Sequence, residues 1–315
     1  MESILTITLN PAIDKSFTVD RLEPDHKLRS PNPRVDAGGG GINVARGIGR
    51  LGGESLAYIL AGGHNGSYLQ ELIAGEGMRL KVFSIEGETR ESIMVMDTAT
   101  NRQYRIIAAG PQIEEATQQK IIDDITSISP FPGFVVASGS LPSGMADSFY
   151  ARLARLVREK GSRLILDCSG DPLKLALQEG VFLVKPNLAE LSALAGVSQL
   201  ELEQVEEAAL SLVRKGKSEI VVVSMGASGA VLIGKDDRVR IQAPTVKRKS
   251  TVGAGDSMVA GMVYAIQAGW SMEQVLQMGV ACGTAATMNP GTQLFRSEDA
   301  GRLFEWISGQ KTNKK

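Results

Sequence analysis

Cysteine is nearly missing from this 315-residue chain: Cys168 and Cys282 stand far apart, without a CxxC or CxxH neighbour. That argues against a disulfide scaffold or a cysteine-built zinc site and fits a reducing compartment. Aromatic residues make up only 5%, which disfavours the stacking platforms that hold single-stranded nucleic acid. Neither charge is in excess, with 34 Lys plus Arg against 35 Asp plus Glu. No basic field therefore draws nucleic acid or an anionic membrane. His26 and His64 are not spaced as metal ligands. No run approaches the roughly 18 uninterrupted apolar residues of a membrane span. The start, Met1-Glu2-Ser3-Ile4, has no basic stretch leading into a long apolar one. The expectation is a cytoplasmic protein with no nucleic acid and no membrane as partner.

What remains is an ordinary globular composition, 43% hydrophobic and 22% charged, rich in glycine with 35 residues. Short apolar runs alternate with longer helical patterns. Ile4–Leu9, Leu56–Leu60, Leu80–Ile85, Phe134–Ala137, Arg163–Asp167, Phe182–Val184 and Ile220–Ser224 read as strands. Ile42–Leu51, Glu115–Ser127, Ser148–Lys160 and Glu201–Lys215 read as amphipathic helices. This alternation predicts an α/β fold with a doubly wound, mainly parallel sheet and helices on both faces. Ligands of such sheets bind beyond the carboxyl ends of the strands. No convincing linker divides the chain, so 1–315 reads as a single domain; Lys311–Lys315 reads as a disordered tail.

Three segments break the alternation. Lys15–Val19, Pro33–Ala37 and the pair Ser92–Asp97 and Gln103–Ile107 follow a period of two, the last pair flanking a turn at Thr98-Ala99-Thr100-Asn101. They form either a small separate sheet within roughly 14–37 and 91–108, as a lid or interface, or an edge extension of the main sheet. As a lid they would expose Ile93, Val95, Tyr104 and Ile106, an apolar patch that soluble monomers generally avoid. A homodimer in which lid meets lid is expected.

The sharpest chemical signal is Ser250-Thr251-Val252-Gly253-Ala254-Gly255-Asp256 before the helical pattern Ser257–Ala268. The glycines let backbone N–H groups converge at a helix start, a natural anion site. Asp256 there either takes a proton from an attacking hydroxyl or merely caps the helix. Four consecutive glycines, Gly38 to Gly41, lead into Ile42-Asn43-Val44-Ala45-Arg46. Such a run costs folding entropy and marks a hinge or a close approach of a ligand to the backbone. Asn187-Leu188-Ala189-Glu190 can hold a hydrated Mg²⁺ or form an ordinary cap. Ser224-Met225-Gly226-Ala227-Ser228-Gly229 can lie against a nucleotide or simply turn a hairpin. Arg29, Arg90 and Arg105 flank the lid, as phosphate ligands or as solvated charges. Gly47-Ile48-Gly49-Arg50-Leu51-Gly52 matches a dinucleotide fingerprint but falls within or at the end of a helix, so it is rejected. Gly216-Lys217-Ser218 lacks the upstream glycine of a P-loop.

Taken in order, these segments resemble the ribokinase-like PfkB carbohydrate kinases, from Thr8-Leu9-Asn10-Pro11-Ala12-Ile13-Asp14 to Asn289-Pro290-Gly291-Thr292. Gly38–Arg46 is similar to the first family signature and Thr251–Asp256 to the second. Lys27-Leu28-Arg29 with the glycine run looks most like the ATP-dependent 6-phosphofructokinase branch. The related 1-phosphofructokinases and tagatose-6-phosphate kinases more often carry Lys where this chain has Gly40. The resemblance implies ATP, Mg²⁺ and a sugar phosphate, with fructose 6-phosphate phosphorylated at C1. It implies Asp256 as base and the Gly253, Ala254 and Gly255 amides as anion hole, with Lys27 reaching toward the phosphates. Asp14, Gly39 and Asn43 would hold sugar hydroxyls, and Arg29, Arg90 and Ser140 would frame the sugar phosphate. Lys185, Asn187, Ser224, Gly226 and Gly229 would serve the nucleotide, and Glu190 with Asn187 the Mg²⁺. Ser250, Val252, Ala286, Asn289 and Gly291 resemble a loop for a monovalent cation such as K⁺, although many family members have Asp where Ser250 stands.

Overall fold

The computed structural model describes residues 3–309, so the expected tail at Lys311–Lys315 lies outside the described residues. Along the chain come β1 (Ile4–Thr8), β2 (Ala12–Val19), β3 (Arg34–Gly38), α1 (Gly40–Arg50), β4 (Leu56–Ala61), α2 (Gly63–Gly75) and β5 (Arg79–Ser84). β6 (Arg90–Asp97), β7 (Arg102–Ile107), α3 (Glu115–Thr126), β8 (Phe134–Ser138), α4 (Phe149–Glu159), β9 (Arg163–Asp167) and α5 (Gly170–Glu179) follow. The last third holds β10 (Val181–Val184), α6 (Leu188–Ala195), α7 (Val205–Arg214), β11 (Ser218–Ser224), β12 (Ala230–Ile233) and β13 (Arg238–Ile241). It closes with α8 (Ala254–Gln267), α9 (Met272–Thr287) and α10 (Ser297–Gly309).

Nine strands form the main sheet in the order β13-β12-β11-β10-β9-β8-β1-β4-β5. Neighbours from β5 to β11 run parallel, and only the β11–β12–β13 edge is antiparallel. A parallel sheet covered on both faces requires apolar residues on both sides of each strand. β1 meets that demand: Leu5 and Ile7 join one core, Ile4 the other. The first core is filled from α3 to α7 by Ile121, Phe149, Leu153 and Leu191. The second is filled from α1, α8 and α9 by Ile48, Val259 and Leu276.

The alternating segments form a separate four-stranded sheet, ordered β3-β2-β6-β7. β2 and β6 start at Ala12 and Arg90, slightly before the expected limits. Register assigns its two faces. Asp14 lies beside Asp36 and Ser92, and Ser16 beside Arg34 and Met94, so this side is largely polar. The other side carries Phe17 beside Val95, Val95 beside Tyr104, and Ile93 beside Ile106. Tyr104 and Ile106 are 40% and 64% exposed, so the expected apolar patch is present on one face.

α2, α5, α9, α10 and the strand β13 were not anticipated; the cap expected as one option at Asn187–Glu190 starts α6, and the hairpin expected as one option at Ser224–Gly229 joins β11 to β12. α9 shows no amphipathic stripe because most of it is buried all round, from Val275 to Ala286. The rejected Gly47–Gly52 match does lie in α1 and its terminal turn.

Candidate active site

The carboxyl ends of the parallel strands gather the chemistry. Asn10 follows β1, Ser138 ends β8, Asp167 ends β9, Lys185 follows β10 and Ser224 ends β11. α8 starts among them. Its N-cap is Gly253 at φ 72°, a left-handed conformation that glycine adopts without strain. No side chain caps this helix, so its first amides lack intrahelical partners. A Cβ on Gly255 would stand 3.4 Å from the Lys185 ammonium, so a buried cation sits against those amides.

Asp256, in the first turn of α8, accepts a 2.8 Å hydrogen bond at Oδ2 from Asn43 Nδ2. Its Oδ1 accepts from Ser138 Oγ at 3.4 Å. The residue keeps some exposure to the cleft, yet burial of the carboxyl pushes it up to about 6. Asp167 adds to that rise, while Asn43, Lys185 and Ser138 oppose it. Lys185 Nζ lies 3.1 Å from Asp167 Oδ1. Burial alone would lower the lysine, but Asp167, Glu190 and Asp256 more than offset it and the net shift is upward. A carboxylate near neutrality beside a fixed ammonium and free amides can accept a proton next to bound negative charge.

The glycine run makes room for this arrangement. A Cβ on Gly40 would stand 2.2 Å from Ser138 Oγ, and one on Gly38 2.2 Å from Asp14 Oδ2. Gly39, at φ 132°, caps α1, whose Ile42 N–H donates to Thr8 Oγ1 at 2.9 Å. The run thus brings backbone close to the chain's own side chains.

On the lid side, burial also raises Asp14 to about 6, with Arg90 the main opposing charge and Asp36 adding to the rise. Arg90 donates from Nε and Nη2 to the Asn10 carbonyl at 3.2 and 2.9 Å. Asn10 Nδ2 donates to Ser140 Oγ at 3.3 Å. Asp14, Asn43, Arg90 and Ser140 thus belong to one polar group that reaches Asp256 through Asn43. Lys27 and Arg29 do not: both are exposed in the 20–33 connection and make no hydrogen bond or ion pair among the described residues. Pro24, Pro31 and Pro33 keep that segment out of either sheet. Arg105 pairs with Met94 in register and so shares the cleft-side face of the small sheet.

On the other side of Gly255 opens a cavity of about 540 Å³, lined by Ser224, Gly226, Gly229, Thr251, Ala254 and Thr284 among others. Ser224–Gly229 is therefore both the hairpin connection of β11 and β12 and a cavity wall. A second cavity, about 630 Å³, lies at the amino ends of β9 to β11, far from these groups. Asn187 and Glu190 form a full capping box at the start of α6: each side chain accepts from the other's backbone N–H at 2.9 Å. Burial raises the Glu190 carboxyl; the Asn187 N–H and Lys185 oppose and Asp167 adds. The described residues contain no group of three or more His, Cys, Asp or Glu able to cage a metal. Asp167 and Glu190 beside Lys185 suit a hydrated divalent ion held mainly by phosphate oxygens. Ser250 Oγ donates to the Gly291 carbonyl at 2.9 Å, and Asn289 Nδ2 to the Ala285 and Leu294 carbonyls at 3.2 Å. The 250–252 and 286–291 segments thus meet.

Asp167, Ser138, Asn10 and Arg46 were missed from the sequence. Asp167 gave a usable signal, an acid closing the apolar run Leu164-Ile165-Leu166. Asn43, Ser138 and Asn10 come together only through the order of the strands.

A cavity ending at a helix start, with a carboxylate of raised pKa between it and a group of polar side chains, suits a small-molecule kinase of the α/β type. The model of the pfkB family of carbohydrate kinases matches residues 3–299, and the chain belongs to that family. It is 40% identical over 302 residues to ATP-dependent 6-phosphofructokinase isozyme 2 of Mycobacterium tuberculosis, covering 96% of this chain and 89% of that protein. The crystal structure of Escherichia coli phosphofructokinase-2 in complex with potassium superposes with a TM-score of 0.93 at 37% identity, covering 98% of this chain and 100% of that one. The tetrameric inhibited form of the same E. coli protein gives 0.90 at 36% identity and the same coverage.

Proposed function

We propose that this kinase transfers the γ-phosphoryl group of ATP to the C1 hydroxyl of fructose 6-phosphate, giving fructose 1,6-bisphosphate and ADP. The observation that carries the reading is the station of Asp256 between the Ser224–Thr284 cavity and the Asp14–Arg90 cleft. Asp256 takes the C1 hydroxyl proton as that oxygen attacks phosphorus, and the Gly253, Ala254 and Gly255 amides with Lys185 meet the charge on the transferring group. Asp14 and Asn43 hold sugar hydroxyls; Arg90 and Ser140 sit at the phosphate end, and Arg29 and Lys27, exposed in the 20–33 connection, join them only if that connection moves onto the bound sugar phosphate. Lys185, Asn187, Ser224, Gly226 and Gly229 hold the nucleotide. Glu190 and Asn187 hold Mg²⁺ through its waters, and the ion, when bound, neutralises phosphate charge. Ser250, Val252, Ala286, Asn289 and Gly291 hold a monovalent cation, K⁺, beside the anion hole. A panel of fructose 6-phosphate, tagatose 6-phosphate, fructose 1-phosphate and fructose with ATP tests the substrate. Fructose 6-phosphate should give the highest kcat/KM; preference for either other phosphate would replace this reading with tagatose-6-phosphate kinase or 1-phosphofructokinase.

The capping box makes Glu190→Gln a clean probe of metal, because Gln serves the cap as well as Glu. The change removes one anionic contact while keeping α6 capped. The Mg²⁺ concentration for half-maximal rate should rise severalfold, with a melting temperature at or above that of the wild type because burial raises the Glu190 carboxyl. An unchanged Mg²⁺ dependence leaves Asn187 and Glu190 as a cap alone.

The outer face of the small sheet, with Phe17, Ile93, Val95, Tyr104 and Ile106, supports a twofold dimer through the lids. Light scattering at micromolar concentration should give a dimer. Ile106→Asp should give a monomer, whereas a wild-type monomer removes the reading.

A further inference from the structure

Arg46 projects from α1 one turn beyond Asn43 and is only 10% exposed in its side chain. Its Nη1 donates to Asn43 Oδ1 at 2.6 Å, and its Nη2 to the Ala37 carbonyl at 2.8 Å. Nη2 also donates to Glu76 Oε1 at 2.8 Å, and Nε pairs with the other Glu76 oxygen. Glu76 is the C-cap of α2, and Ala37 belongs to β3 of the small sheet. One guanidinium thus ties together a helix end, a lid strand and the amide that touches Asp256.

The donor and acceptor rules make this tie directional. A guanidinium has five N–H donors and no acceptor. The Asn43 oxygen must therefore face Arg46, and the Asn43 NH₂ is left to face the Asp256 carboxylate, which accepts only. Among the described residues Arg46 is the one donor to Asn43 Oδ1; without it the orientation depends on the Asp256 charge alone, and is lost when that carboxyl takes a proton. The reverse would set two oxygens against each other and favour a protonated Asp256.

We propose that Arg46 is a positioning residue for phosphoryl transfer: it locks the Asn43 carboxamide so that its NH₂ group holds Asp256 in the proton-accepting form. The proposal rests on the reading of Asp256 as the base. Charged and polar groups other than Asn43 also face Asp256: Asp167 at the end of β9, Lys185 after β10 and Ser138 at the end of β8. Arg46 also bears on Asp14 through its charge, together with Arg90 and Asp36. Loss of the cation therefore raises Asp14 as well, and the test must separate that field from the hydrogen bond.

The experiment is a double-mutant cycle read as the pH profile of kcat, with saturating ATP and sugar phosphate. Wild type should show an acid limb. Arg46→Met should move that limb upward by about half a unit or more and lower kcat most at acid pH, where Asp256 is easiest to protonate. A purely structural role would lower stability and scale the whole profile without moving its limb. In an Asn43→Ala background, Arg46→Met should produce no further movement. A shift of equal size in that background would assign the effect to the Arg46 charge acting on Asp14 and overturn the proposal. An unmoved limb in Arg46→Met alone would also overturn it. Failure of the underlying reading looks different: Asp256→Asn would then keep its activity whatever Arg46 does.

Discussion

Asp256→Asn should lower kcat by at least about 10²–10⁴-fold, the usual worth of general-base assistance. The amide keeps the shape of the side chain and a partner for Ser138, but it accepts no proton from the attacking hydroxyl. Substrate KM should change little, because the groups that hold the sugar and the nucleotide remain. With the carboxyl near 6, the wild-type rate should fall as pH drops below about that value, and the mutant's residual rate should lack this limb. The stability effect has the opposite sign. A carboxyl whose folded value lies above its unfolded one favours the folded state at low pH, and that contribution is lost as pH rises through the folded value. At neutral pH the ionised Asp256 is therefore a burden, and Asp256→Asn should melt at or above the wild-type temperature. A mutant with near wild-type kcat in an ADP-release assay would remove Asp256 from the chemistry.

Arg90→Ala carries the second large effect. A charge-assisted contact to a substrate dianion, shielded from solvent, is worth about 2–5 kcal/mol, roughly 30- to several-thousand-fold in kcat/KM. Two Arg90 donors already serve the Asn10 carbonyl, which leaves the rest of the fork for a ligand. Removing the cation also lifts the Asp14 carboxyl further, since Arg90 is its main opposing charge. Part of the loss must then fall on any sugar, through Asn10 and Asp14. The part owed to phosphate is the difference between substrates. The drop with fructose 6-phosphate should exceed that with fructose by about tenfold or more, equivalent to about 1.4 kcal/mol. Equal losses on both would leave a kinase without a sugar-phosphate preference.

Much of this arrangement was legible because local chemistry and global position agree. The period of two at Lys15–Val19 and Ser92–Asp97 announced a sheet outside the parallel core, and its faces followed from register alone. Gly253 and Gly255 before Asp256 announced an open helix start with an acid beside it. Asn187 and Glu190 show the limit of such reading: their side chains occupy a cap, and the same two residues stand next to Lys185, so spacing alone cannot choose between duties. The Lys185–Asp167 pair was hidden for another reason. It forms because β9 and β10 are neighbours and end together, which is a property of strand order rather than of either segment. Arg46 carries no local signal within the glycine signature, because its three partners come from α1, the end of α2 and β3.

The small sheet is one layer of backbone with unlike faces, and that constrains how such a lid can change length over evolution. Ser92 and Met94 on β6 look toward the cleft, whereas Ile93 and Val95 look away. Inserting one residue in that strand would exchange the two sets, turning a partner of Asp14 outward and bringing isoleucine to the Asp14 side. Both surfaces would be lost in one step. Lengthening is tolerable only in pairs of residues, or where no register exists to disturb: the 20–33 connection and the turn at 98–101.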